Sequence, residues 1–182
     1  MIDNTIIVFV SDHGFLLGEH GQWQKEMLFE ESARSPLIIV PAGGLRYPKT
    51  DERQWKCERV VELLDVYPTV VALSGAKPPR QKLEGRDLSP LLENPQAEWN
   101  HPALTQTPRR VGGRSIMGYS IRTERWRYTE WGEGGAQGRE LYDHAADPKE
   151  LTNLAHGDAT AHGATIEELK RLMTKMKATA DP

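Results

Sequence analysis

One cysteine, Cys57, stands in the 182 residues. No internal disulfide can form, and cysteine usage says nothing of the redox compartment. No apolar run reaches the roughly 18–20 residues that cross a bilayer, so no membrane span is expected. Neither charge sign dominates: 23 Lys and Arg against 26 Asp and Glu give a net charge of −3. That removes the general electrostatic case for nucleic-acid binding. Internal repeats and low-complexity tracts are missing. Met1 is followed by Ile-Asp-Asn and a strand-like run, without the pattern of a signal peptide. What remains is a globular composition, 38% hydrophobic and 27% charged. It is long enough for one large or two small domains.

Residues 5–10 (Thr-Ile-Ile-Val-Phe-Val) are β-branched or aromatic without polar alternation, which suits a strand covered on both faces, as in a parallel sheet. Glycines at 14, 18 and 21 then impose a loop. Residues 27–34 fit a short helix stopped before Pro36, and Leu37–Val40 reads as a second buried strand. Residues 45–57 read as a surface excursion. Val60–Leu64 reads as extended, with Asp65 placed to cap a helix that ends at Gly75. Residues 83–92 read as a loop entering a short helix. From about residue 101 the texture changes to short strands near 103–105, 117–122, 126–130 and 140–143. The second and third form an antiparallel hairpin. Ile166, Leu169, Leu172, Met173 and Met176 fall at helical spacing, giving a terminal amphipathic helix over about 163–178. Two parts are expected, 1–100 as α/β sheet and 101–182 as a small antiparallel sheet with the last helix.

The chemistry-bearing residues gather after the first strand, where open α/β sheets bind their ligands. Asp12 offers a carboxylate and His13 an imidazole. Together they suit a divalent cation, while a loop cap beside a surface histidine accounts for the same pair. Lys25, beyond the glycine-rich loop, can oppose an anionic oxygen or simply be solvated. His20 can serve as a general acid or second donor, or hydrogen-bond its own loop. Trp23 can wall a pocket or pack. Arg109, Arg110, Arg114, Arg122, Arg125 and Arg127 crowd residues 109–127 beside one acid, Glu124. They form either a patch for an acidic polymer such as a sulfated glycan or a solvated hairpin face.

The stretches Asp3–Gly14, Leu17–Lys25, Arg34–Ile38, Val60–Thr69, Leu83–Leu92, Met117–Trp131 and Glu140–Asp143 with Asp147-Pro148 resemble the sulfatase family of the alkaline-phosphatase-like superfamily, above all its iduronate-2-sulfatase branch and bacterial relatives. Their order and spacing cover nearly the whole chain. The resemblance implies the C-terminal portion of an alkaline-phosphatase-like parallel sheet sandwich. A small antiparallel sheet with a packed helix follows it. Asp12 and His13 become two Ca²⁺ ligands of a partial site, Lys25 a sulfate contact, and Phe15 a wall of the substrate pocket. Histidine rather than asparagine at 13 points to the iduronate-type branch. The family's Cys/Ser-x-Pro/Ala-x-Arg motif, source of the formylglycine nucleophile, does not occur here, since Cys57 is followed by Glu58-Arg59. The paired aspartates that complete the metal site are also missing. The expectation is therefore a fragment, inactive alone, whose partner is the N-terminal half carrying the formylglycine. Its parent cleaves sulfate esters on a glycosaminoglycan-like carbohydrate in the periplasm or outside the cell. A phosphodiesterase or phosphonate hydrolase of the same superfamily, and a non-catalytic remnant binding anionic glycan through the 109–127 arginines, are the competing readings.

Overall fold

The computed structural model describes residues 2–44, 56–156 and 161–180; most of the expected 45–57 excursion lies outside them. The fold is α/β, and the chain forms two compact units. The first combines 1–12 with 36–101, the second 13–35 with 102–182. The segment 13–35 therefore packs with the C-terminal residues rather than with the N-terminal hundred.

In the first unit, β1 (Ile7–Val10) pairs with β2 (Leu37–Val40). The pairing is antiparallel, Ile7 opposite Val40 and Val10 opposite Leu37. The parallel arrangement expected for residues 5–10 is thus not how these two strands meet. An unbroken apolar run reports covered faces, not strand direction. One side of the ribbon joins a core of Ile39, Leu88 and Leu91 with Val8, Leu37, Val61 and Leu73. Phe9 and Ile38 are 58% and 55% exposed, leaving large apolar surface bare.

The expected extended segment at 60–64 stops at Glu62, whose backbone is extended. Leu63–Asp65 make one 3₁₀ turn, and α2 (Val66–Ser74) follows directly, closed by Gly75 in the left-handed region. Asp65 does not cap α2. Its buried carboxylate accepts the Glu62 and Arg86 N–H groups at 2.8 and 2.7 Å. Thr69 Oγ1 donates to the Asp65 carbonyl and accepts the Leu88 N–H, so α2 is tied to the entry of α3 (Ser89–Glu93).

The second unit is built on a four-stranded antiparallel meander, β3 (Ala103–Val111), β4 (Arg114–Arg122), β5 (Trp126–Trp131) and β6 (Gly138–Asp143). β3 and β4 run well beyond the short strands expected. They meet at Gly112-Gly113, whose φ values of 57° and 80° are those a two-residue hairpin turn requires. Period-two alternation gives the sheet two unlike faces. Ile121, Tyr128 and Leu141 pack against Leu169 and Met173 of α4 (Gly163–Ala180). Ser120, Arg127 and Thr129 point the other way and are fully buried as well. That polar face is covered by the segment 13–35.

Candidate active site

His13 is half buried, and its Nδ1 lies 2.6 Å from the Gly14 carbonyl. A carbonyl only accepts, so in the neutral ring Nδ1 carries the proton and Nε2 keeps the lone pair. That tautomer is the one a metal-ligating histidine uses when its other nitrogen is pinned by a backbone acceptor. Asp12, immediately before it, is exposed, and its Oδ1 is 3.5 Å from the Ser11 hydroxyl. An anionic oxygen and an unprotonated imidazole nitrogen are a chemically fitting donor pair for a divalent cation.

The turn after His13 depends on Gly14. Its N–H donates to the Ser32 carbonyl at 2.8 Å. A Cβ there would lie 1.9 Å from the Glu31 carbonyl oxygen and 2.7 Å from that of Arg34. Gly14→Ala must therefore push 13–15 off α1 (Glu30–Ala33). The expected cost is about 1–3 kcal/mol, read from urea unfolding of the chain.

Residues 16–24 double back as a narrow loop. The Leu16 N–H donates to the Gln24 carbonyl and the Gly18 N–H to the Gln22 carbonyl, both at 2.9 Å. Leu16 is fully buried at the base. At the tip, Glu19 Oε2 accepts the Leu17 N–H at 2.6 Å, which with other backbone donors holds its carboxyl below the usual range. His20 takes a left-handed conformation, φ 52°. Its ring stacks on Phe29 with centroids 3.7 Å apart, and Nε2 faces Glu31 Oε2 at 3.6 Å. Lys25 is exposed just past the loop. Its flanks are fixed, because Gln24 accepts from Leu16 and the Glu26 carbonyl accepts the Thr107 hydroxyl at 3.2 Å. Phe15 is 48% exposed and Trp23 73%, the latter lying beside Gly18.

Beneath the segment lies a buried ion network that sequence reasoning missed. Glu30 heads α1, and its Oε2 receives Arg127 Nη2 at 2.5 Å and Arg122 Nε at 3.4 Å. Glu150 is 1% exposed and accepts three groups: the Glu30 N–H at 2.8 Å, Arg127 Nε at 2.5 Å and His144 Nε2 at 2.7 Å. His144 Nδ1 faces Arg122 Nη2 at 2.8 Å. Guanidinium only donates and carboxylate only accepts, so His144 is the Nε2–H tautomer. Arg127 completes its contacts on the Ser120 hydroxyl, itself bonded to Thr129.

Two of the arginines expected at the substrate carry protein partners in this structure. Arg122 is turned inward to Glu30, His144 and the Thr123 carbonyl. Burial lowers its affinity for a proton against the pull of Glu30. Arg125 keeps an exposed stem over Trp126, but both its donors lie on the Asp143 carboxylate at 2.9 and 2.7 Å. The Arg122 guanidinium is engaged inside the fold, and that of Arg125 is paired with Asp143 at an exposed site. With Arg127 buried too, the six-arginine patch does not exist as one surface. Arg109, Arg110, Arg114 and Arg125 are its exposed members. The sequence signal for the network was Arg127, set between Trp126 and Tyr128 in a strand.

A family model described as N-sulphoglucosamine sulphohydrolase, C-terminal, matches residues 18–179. This chain belongs to the sulfatases. Among curated proteins similar to it, arylsulfatase K of Canis lupus familiaris is 33% identical over 99% of this chain and 33% of its own length. An N-acetylglucosamine-6-O-sulfatase of Bacteroides thetaiotaomicron is 34% identical over 84% of this chain and 27% of its own. A protein solved in complex with its substrate D-glucosamine-2-N,6-O-disulfate superposes with a TM-score of 0.69 at 30% identity, covering 99% of this chain and 36% of that one. A 2-O GAG sulfatase gives 0.75 at 27% identity over 98% and 37%. This sulfatase chain thus spans about a third of the length of the curated relatives it matches. Sulfatases as a family use a formylglycine and a metal ion. Among the described residues, no helix is long and apolar enough to cross a membrane.

Proposed function

We propose that this sulfatase segment supplies part of the active site of a sulfuric ester hydrolase acting on a sulfated, glycosaminoglycan-type carbohydrate. The observation that carries the reading is the His13 contact to the Gly14 carbonyl, which in the neutral ring makes Nε2 the lone-pair nitrogen of the residue that follows Asp12. In this reading Asp12 and His13 hold Ca²⁺ together with ligands from an N-terminal part of the parent. That part also provides the formylglycine nucleophile. Calcium, when bound, polarises the sulfate oxygens. Lys25 places an ammonium against a non-bridging sulfate oxygen, on a backbone fixed at Gln24 and Glu26. Phe15 and Trp23 present exposed aromatic surface to the sugar. The bare faces of Phe9 and Ile38 support the reading that further sheet covers this ribbon in the parent. A periplasmic or extracellular location goes with it.

The test uses the full-length parent and a 6-O- or 2-O-sulfated glucosamine or uronate. Asp12→Ala and His13→Ala are each expected to abolish sulfate release, and chelation to suppress it until Ca²⁺ is restored. Undiminished rates in either variant would overturn the metal assignment. Turnover by the 182-residue chain alone would overturn the need for an N-terminal part. The reading as a glycan-binding remnant loses support, because Arg122, Arg125 and Arg127 are engaged internally.

A further inference from the structure

His20 is held by contacts on both its ring face and its Nε2 edge. Its side chain is only 12% exposed, one ring face is taken by Phe29, and its Nε2 points at Glu31. Nε2 and Glu31 Oε2 are buried atoms, and neither has a hydrogen-bond partner among the described residues. They face each other at 3.6 Å, with a Glu150 carboxylate oxygen within 4.8 Å of a ligand atom on each residue. The left-handed backbone at a non-glycine residue, φ 52°, is a conformation that costs free energy and persists only where the surroundings enforce it. Here the enforcing contacts are the stack and the glutamate.

We infer that His20 is a positioning residue for Lys25, acting as a peg that docks the loop tip onto Phe29 and Glu31. The contact closes the chain between residues 20 and 31 into a ring, and Lys25 lies inside it. Without the peg, this stretch keeps its anchors at Leu16, Thr107 and Ser32 but gains freedom at the tip. An ammonium that must meet sulfate oxygens loses effectiveness when its backbone wanders by even an ångström. The inference rests on the proposed role of Lys25, but the peg itself has a readout independent of activity.

Amide hydrogen exchange on the 182-residue chain tests the peg. His20→Ala and Glu31→Ala are each expected to speed exchange at Gly18, Gly21 and Gln22 about tenfold, with β4 and β5 amides unchanged. The double variant should exchange no faster than either single one. Unchanged exchange at the tip, or additive effects, would overturn the peg. Sulfate release by the full-length parent tests the coupling. His20→Ala is expected to lower kcat about tenfold with little change in KM, and to do nothing further in a Lys25→Ala background. An undiminished loss in that background would overturn the assignment through Lys25. His20→Phe keeps the stack and loses the glutamate; it should restore part of the tip protection and part of kcat. A wild-type parent without sulfate release counts against the proposed function alone, and the exchange arm still decides the peg.

Discussion

Glu150→Ala is expected to destabilise the chain by about 3–5 kcal/mol, the usual cost of breaking a buried ion pair from one side. The variant leaves the Arg127 guanidinium, itself 3% exposed, with one carboxylate instead of two. It also strips the acceptor from His144 Nε2 and from the Glu30 N–H. Three buried donors lose their partner at once, and each carries its own desolvation penalty. Urea unfolding followed by tryptophan fluorescence reads the loss. Arg127→Met combined with Glu150→Leu should cost less than the sum of the two single changes, because no isolated charge remains. Equal sums would show that the pair is not coupled.

The same network sets an acid limit. Burial acts most strongly on Glu30 and Glu150 and pushes both carboxyls up. Arg127, with Arg122 on Glu30 and His144 on Glu150, outweighs it, and both end below their ordinary value of 4.5. A depressed carboxyl contributes fully above its unfolded value and loses that contribution as pH falls through its folded value. Unfolding free energy should therefore drop as pH falls below about 4.5, and drop less steeply in Glu150→Ala.

Lys25→Ala is expected to lower kcat about 10²–10³-fold in the full-length parent, the usual loss when one preorganised donor to a developing charge is removed. The side chain is exposed and its backbone is held on both sides, so the substitution should leave folding intact. Lys25→Arg should recover only part of the rate, because a planar fork does not replace a compact ammonium at a single oxygen. Arg125→Ala is the control. Its exposed pair with Asp143 contributes at most about 1 kcal/mol to stability, and kcat should not move. A large fall in Arg125→Ala with an active Lys25→Ala would reverse the two assignments.

The elements that sequence revealed are those written in local pattern. Residues 5–10 and 37–40, the Glu62–Gly75 stretch and the terminal helix are each marked by their own apolar spacing and their own glycine or proline stops. Strand partners were not marked, which is why β1 and β2 turned out antiparallel. The length of β3 and β4 was hidden because Gln106–Arg110 and Arg114-Ser115 are polar, although Gly112-Gly113 announces their turn. In the candidate site, Asp12, His13 and Lys25 stood out through their position after a strand and their neighbouring glycines. The arginines misled, because charge in a hairpin reads as surface unless a buried carboxylate waits opposite. Glu30 and Glu150 meet across 120 positions of sequence, and no spacing rule connects them.

That separation governs the order of events during synthesis. Residues 13–35 are synthesised before the residues from 102 onward with which they form one compact unit. β1 and β2 can pair while the segment between them still has no floor. The backbone around Lys25 settles only once Arg127, His144 and Glu150 have emerged. Non-local closure of this kind is slow and leaves an apolar ribbon waiting in the open. The stretch around Lys25 is thus among the last to be built, and a chain that stalled before residue 150 would leave Glu30 and Arg127 without their shared carboxylate.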